Sequence, residues 1–150
     1  MNIKVVATNR KARHEYFILD TYEAGLALQG SEIKSIRSGK ISLAEAYITI
    51  DNFEAWLVNA YIAPYDQASH FNHDPTRPRK LLLNRAEINR LWNQVRQKGI
   101  TIVPLRVYLK AGLAKVEIAS AKGKKLYDKR AVIARRDTER EIQRQLRRRE

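Results

Sequence analysis

The chain has 150 residues and a formal net charge of +13, from 29 Lys plus Arg against 16 Asp plus Glu, and 44% of it is hydrophobic. That length suits one domain with a real core, and the lack of cysteine excludes a disulfide framework, a thiolate nucleophile and any Cys-based zinc or iron–sulfur site. Charge of this sign and size points to a polyanionic partner, either nucleic acid or an anionic membrane surface.

The start, MNIKVVATNRKARHEYF, contains no apolar run long enough for a signal peptide or membrane span, so a soluble cytosolic protein is expected. Residues 3–7 are a strand candidate, and a short turn around 9–14 is a candidate helix. Residues 16–28 are a longer strand candidate in which Gly25 is expected to form a bend or bulge. A short helix follows, opened by Gly30-Ser31, with Ile33 and Ile36 on one face and Gly39 at its close. In 45–51, Ala46, Ile48 and Ile50 alternate with Tyr47 and Thr49, and in 54–62 the spacing puts Trp56, Val58, Ala60 and Ile62 on one face. Asp51-Asn52 breaks these runs into a hairpin.

Asn84, with Glu87 three residues on, is a capping box. Ile88, Leu91, Trp92 and Val95 then follow at helical spacing until Gly99. Residues 100–110 are rich in β-branched side chains, and 115–119 alternate Val116 and Ile118 with charge. Ala111-Gly112 joins them as a second hairpin. The expected fold is mainly β: an OB-like antiparallel β-barrel with two or three short helices and a basic C-terminal tail. An open α+β sandwich is the alternative.

Composition shifts after Ala121. The last 29 residues carry twelve basic and five acidic side chains, which is +7 of the total, and few apolar ones. Residues 1–121 therefore read as a barrel and 122–150 as a basic tail, disordered when free and helical when bound. Thr138 and Glu141 form a capping box, Ile142 and Leu146 an apolar pair, and Arg140, Arg144 and Arg147 share a side. Two spaced apolar residues without Trp or Phe make a weak membrane anchor, so nucleic acid is favoured.

Little in the sequence suggests chemistry. His70, His73 and Asp74 lie close together and could form a metal or acid–base site. Their spacing fits no helix-borne ligand pair, and the Pro-rich loop around them favours polar side chains satisfying backbone groups. No Gly-rich phosphate loop, nucleophile elbow or His-Glu-x-x-His helix occurs. No cofactor or metal is expected, and a nuclease using His70, His73 and Asp74 is the least supported reading.

Binding features are denser. Ala121-Lys122-Gly123-Lys124-Lys125-Leu126-Tyr127-Asp128-Lys129-Arg130 combines cations, a glycine that lets backbone approach a polyanion, and an aromatic for stacking. Arg77-Pro78-Arg79-Lys80 leads into Leu81-Leu82-Leu83. Three consecutive leucines cannot all face one core, so Leu82 is the candidate for exposure. Glu23 is either a solvated strand residue or a carboxylate that orients a cation or accepts from a base edge.

Five segments in register carry a resemblance over nearly the whole chain. They are Asn9-Arg10-Lys11-Ala12-Arg13-His14-Glu15-Tyr16, Tyr22-Glu23-Ala24-Gly25-Leu26, and Leu28-Gln29-Gly30-Ser31-Glu32-Ile33-Lys34-Ser35-Ile36-Arg37. Asp74-Pro75-Thr76-Arg77 with Arg79-Lys80-Leu81-Leu82-Leu83 follows, then Ala121-Lys122-Gly123-Lys124-Lys125 with Tyr127-Asp128-Lys129-Arg130. In these the chain resembles the family of small protein B, the SsrA-binding proteins that partner transfer-messenger RNA in bacterial ribosome rescue. The resemblance implies an OB-like barrel that grips the tRNA-like end of that RNA near its elbow, with Glu23, Leu82 and Asn84 in contact. Arg79, Lys80, Lys122, Gly123, Lys124 and Lys125 complete the expected RNA-binding set.

The tail is implied in the small ribosomal subunit. Gly123, Lys124, Tyr127, Asp128, Lys129 and Arg130 would lie at or near the decoding centre, and Arg135, Arg136, Arg140, Arg144 and Leu146 along the empty mRNA channel. The family often has His where Tyr127 stands; Tyr keeps the stacking face but loses a titratable cation. Expected partners are transfer-messenger RNA, the small ribosomal subunit and, through the alanyl-charged RNA, elongation factor Tu. A cytoplasmic monomeric adaptor is expected, with no membrane partner and no catalysis. A general OB-type single-strand nucleic-acid-binding protein is the alternative.

Overall fold

The computed structural model describes residues 3–65 and 72–124. Alternating apolar positions build most of these residues into strands, and capped segments supply three helices. In chain order they are β1 (Ile3–Thr8), α1 (Arg10–Glu15), β2 (Tyr16–Leu26), α2 (Gly30–Arg37), β3 (Ile41–Ser42) and β4 (Tyr47–Asp51). Then come β5 (Glu54–Val58), β6 (Tyr61–Ile62), β7 (Arg79–Leu82), α3 (Arg85–Val95), β8 (Ile100–Lys110) and β9 (Leu113–Gly123).

Antiparallel pairing runs β1-β8-β4-β5-β7-β2-β9, and β9 also pairs with β8. Six strands therefore close into a ring, which settles the architecture as a barrel rather than an open sandwich. β8 holds three partners: β9 along its whole length, β4 through Ile102 opposite Ile48, and β1 through residues from Arg106 to Lys110. Directly paired residues share a face, so Ala24, Val116 and Val107 form one inward row across β2, β9 and β8, all fully buried. Ile36 of α2 and Leu91 of α3 add to this core. A second, smaller cluster lies outside the ring, where Ala12 of α1 covers Val103, Leu105, Ala119 and Ala121.

Both expected hairpins form around two-residue turns with positive φ at each position. These residues are Asn52 (51°) with Phe53 (59°), and Ala111 (51°) with Gly112 (78°). Asn9 caps α1 by accepting from the Ala12 amide, and Asn84 caps α3 by accepting from Glu87.

Three expectations need correction. Gly25 is not a bulge: it pairs in register with Leu82 on one side and Lys115 on the other, and the β2 irregularity falls between Ile18 and Asp20. The 54–62 run is not one strand, because Asn59 adopts φ 62° and ends β5. Ala55 and Leu57 face the core instead of Trp56 and Val58, and the extra residue shifts the phase so that Ala60 and Ile62 face inward afterwards. β9 also continues through Lys122 and Gly123, beyond the composition break at Ala121. The tail residues Lys125, Tyr127, Asp128, Lys129, Arg130, Arg135, Arg136, Arg140, Arg144 and Leu146 lie outside the described residues, as does His70.

Candidate nucleic-acid interface

The alternation of β7 sorts its four side chains. Arg79 and Leu81 are buried, while Lys80 and Leu82 face outward, with Leu82 54% exposed. Leu82 sits opposite Gly25, where an added Cβ would come within 3.3 Å of the Leu82 Cβ. Glycine there lets the leucine lie flat across β2. Glu23 stands two residues back on the same face of β2, and Lys115 flanks Gly25 from β9. Asn84 follows Leu82 at the exposed start of α3, where its Oδ1 accepts from the Glu87 amide 2.8 Å away. The fold thus puts Glu23, Lys80 and Leu82 on the outward side of the sheet, with Asn84 exposed two residues beyond Leu82.

Glu23 is held in place rather than merely solvated. The Tyr108 hydroxyl donates to its Oε2, and Lys110 Nζ lies 3.4 Å from both carboxylate oxygens. The Tyr108 hydrogen bond, followed by Lys110, keeps the carboxyl below its ordinary range despite some desolvation. Burial, then Glu23 itself, pushes the Tyr108 phenol well up. The Arg106 guanidinium sits 5.0 Å from the Tyr108 ring centroid. Arg106 also pairs with Glu117 at 3.4 Å, and Arg13 approaches the same carboxylate at 3.9 Å. Lys80 makes an exposed pair with Glu54 at 3.7 Å.

Arg79 corrects the expected RNA-binding set. It is fully buried, donating through Nε to Glu32 Oε2 at 2.6 Å and through Nη1 to the Ala60 carbonyl at 2.6 Å. Its Nη2 reaches the carbonyls of Asp74 and Pro75 at 3.2 and 3.1 Å. Arg79 therefore ties the 74–75 loop to the barrel and offers no surface to a ligand. Glu32 is equally buried and also accepts from Arg77 and from the Gln29 amide. Burial raises its carboxyl, but hydrogen bonds from Arg77, Gln29 and Arg79 outweigh this and hold it below its ordinary value. The sequence hid this cluster because 45 residues separate Glu32 from Arg77. Its one legible sign was Glu32 at the third position of a helix, where such a residue folds back on the cap.

His73 is taken up structurally. Its Nε2 donates to the Ile62 carbonyl at 2.9 Å, and Nδ1 lies 2.9 Å from the Ser31 hydroxyl. Asp74 caps its own turn, accepting from the Thr76 amide at 3.0 Å. Among the described residues no three His, Asp or Glu side chains gather as metal ligands. None of the described helices is long and apolar enough to cross a membrane.

Lys122, Gly123 and Lys124 lie at the other end of β2, where Gly123 is buried opposite Tyr16 and Lys122 stands opposite Phe17. Lys124 Nζ sits 4.8 Å from the ring centroid of the half-exposed Phe17. Phe17 and Glu23 are six positions apart along β2, or about 20 Å. The expected RNA-binding residues thus fall into two groups. Phe17 stands beside the second group; its exposure and its distant partner Lys124 become visible only once β2 and β9 are paired.

Comparison with known proteins identifies the family. The SmpB protein family matches residues 6–148. The chain is 60% identical to the SsrA-binding protein of Desulforudis audaxviator (strain MP104C) over 141 residues, covering 94% of this chain and 92% of that one. It is also 60% identical to the SsrA-binding protein of Roseiflexus sp. (strain RS-1) over 147 residues, covering 97% and 93% respectively. Among solved structures it resembles a chain described under "tmRNA-SmpB: a journey to the center of the bacterial ribosome", with TM-score 0.69 and 50% identity. That match covers 83% of this chain and 87% of that one. The chain belongs to the SmpB family of SsrA-binding proteins.

Proposed function

We propose that the chain is an RNA-binding adaptor that binds the tRNA-like domain of transfer-messenger RNA (SsrA) and delivers it to stalled ribosomes for trans-translation. The observation that carries this reading is the exposed Leu82 lying on Gly25 beside Glu23, with the exposed Asn84 two residues further along the chain. An exposed leucine on glycine, a fixed acceptor and an amide suit base edges and riboses, while Lys80 and Lys115 suit phosphates. The relatives named for SsrA binding and the resemblance to a chain of a ribosomal complex support it.

The rest of the reading follows from charge. The +7 of residues 122–150 suits the path normally lined by mRNA phosphates. Tyr127 to Arg130 would occupy the decoding centre, and Arg135 to Leu146 the vacant channel. Folding of the tail there replaces codon–anticodon pairing as the signal that admits the RNA. No bond is made or broken by the protein, which works as a monomer in the cytoplasm and meets elongation factor Tu only through the charged RNA.

Truncation after Lys129 tests the division of labour. RNA affinity should survive while tagging of stalled products is lost; loss of RNA affinity as well would refute it. Competition between transfer-messenger RNA and unstructured RNA separates this adaptor from a general single-strand binder, which would hold both alike with steep salt dependence.

A further inference from the structure

Glu23 puts an anion in the middle of a face proposed to meet a polyanion. A carboxylate repels phosphate and offers only acceptor sites, so whatever it meets must donate. RNA presents two kinds of donor: base N–H groups and the 2′-hydroxyl. A carboxylate has about four lone-pair sites, and the Tyr108 hydroxyl takes one of them at Oε2. Lys110 lies 3.4 Å from both oxygens, at the limit of hydrogen-bond reach, and the Glu23 side chain remains 42% exposed. Acceptor sites are therefore left facing solvent, aimed by a tyrosine that is itself only 4% exposed and stacked against Arg106. Leu82 is the diagonal neighbour of Glu23 across Gly25, about 7–8 Å away, and supplies an apolar floor beside the acceptor.

We propose that Tyr108 and Lys110 are positioning residues that aim the Glu23 carboxylate at the adjacent N1–H and N2–H donors of one unpaired guanine, whose ring packs on Leu82. Guanine alone has two neighbouring N–H donors on one edge, matching the two oxygens of a carboxylate. Adenine and cytosine present one amino group beside a ring acceptor, and the uracil N3–H lies between two carbonyls; both arrangements repel a carboxylate. In a Watson–Crick pair the guanine N1–H is already taken, so the base must be unpaired. The low-lying carboxyl of Glu23 keeps it an acceptor at neutral pH. The inference rests on the RNA-binding reading of the same face and names what that face reads.

The test uses the full chain and the tRNA-like domain of transfer-messenger RNA, transcribed with inosine scattered among its guanosines. Inosine keeps N1–H and lacks the N2 amino group. Selection for binding should show one unpaired guanosine at which inosine weakens binding about tenfold, and Glu23→Ala should abolish that sensitivity. Tyr108→Phe, which keeps the ring, should weaken binding of unmodified RNA about tenfold in the native background but less than about twofold beside Glu23→Ala. Lys110→Ala, at an exposed position, should show the same non-additivity and reports independently if Tyr108→Phe fails to fold.

Sensitivity at no unpaired guanosine, or sensitivity that persists in Glu23→Ala, overturns the proposal. So do equal losses for Tyr108→Phe in both backgrounds, which would mean a general effect on the sheet. If the native chain does not prefer transfer-messenger RNA over unstructured RNA, the functional reading itself falls, which is a distinct result.

Discussion

Glu32→Gln is expected to be among the most damaging near-isosteric changes in this barrel. The native carboxylate is fully buried and accepts from Arg77 Nε at 3.1 Å, from Arg77 Nη2, from Arg79 Nε at 2.6 Å and from the Gln29 amide at 2.8 Å. An amide has one acceptor oxygen, and its NH2 would face guanidinium donors. Donors are then stranded and the Arg79 charge is left buried without its counter-ion. Breaking one partner of a buried pair costs about 3–5 kcal/mol. At about 2–4 °C per kcal/mol for a chain of this size, Tm should drop by about 6–20 °C.

Urea unfolding of the full chain at neutral pH measures the loss, and a loss under about 1 kcal/mol would refute the account. Arg79→Lys, assayed well below its transition, should leave RNA affinity within about twofold; a tenfold loss at unchanged stability would put Arg79 back on the surface. The same cluster predicts the acid response. Glu32 holds its proton less tightly folded than unfolded, so its contribution is complete above the ordinary carboxylate value of 4.5 and is lost as pH falls below it.

Leu82→Ala, at a half-exposed site, should shift stability by less than about 0.5 kcal/mol yet weaken RNA binding about tenfold, read by paired melting and filter-binding measurements. Gly25→Val should displace Leu82, whose Cβ and Cδ1 lie 3.3 and 3.4 Å from the new Cβ, and reduce RNA affinity more than Leu82→Ala does. Unchanged affinity in Gly25→Val would show that the placing of Leu82 is unimportant. Asn84→Ala removes the cap of α3 and should cost about 1 kcal/mol in denaturant unfolding, while Asn84→Ser should restore stability but not RNA affinity.

Periodicity made most of the barrel legible. Ala46, Ile48 and Ile50 alternate inward as expected, and the capping box at Asn84 and Glu87 marks the start of α3. Failures came where one residue interrupts a period or where partners are distant. Asn59 in the left-handed region could not be seen in a run of strand formers, and it reverses the face of everything before it. The three leucines announced an exposed one because parity forbids burying neighbours together, and Leu82 is that residue. Arg79 looked like its basic neighbours Arg77 and Lys80, but the same parity turns it inward to a carboxylate that no local pattern could name. Resemblance implied Glu23 and Leu82 as candidate contacts; it could not supply Tyr108, which reaches Glu23 from 85 residues away.

The triple pairing of β8 determines when the molecule can finish folding as it is made. β1, first to be synthesised, has its pairing partner in Arg106–Lys110, and the ring itself closes through Ile102 and the length of β9. A nascent chain halted before about residue 100 holds β1 and β4 with open edges, which invite association with other chains. Closure comes only when β9 is complete at Gly123, just before the basic segment emerges. A product cut short before Gly123 would thus leave exposed strand edges for proteases and chaperones to recognise, whereas one cut after it would keep a closed barrel.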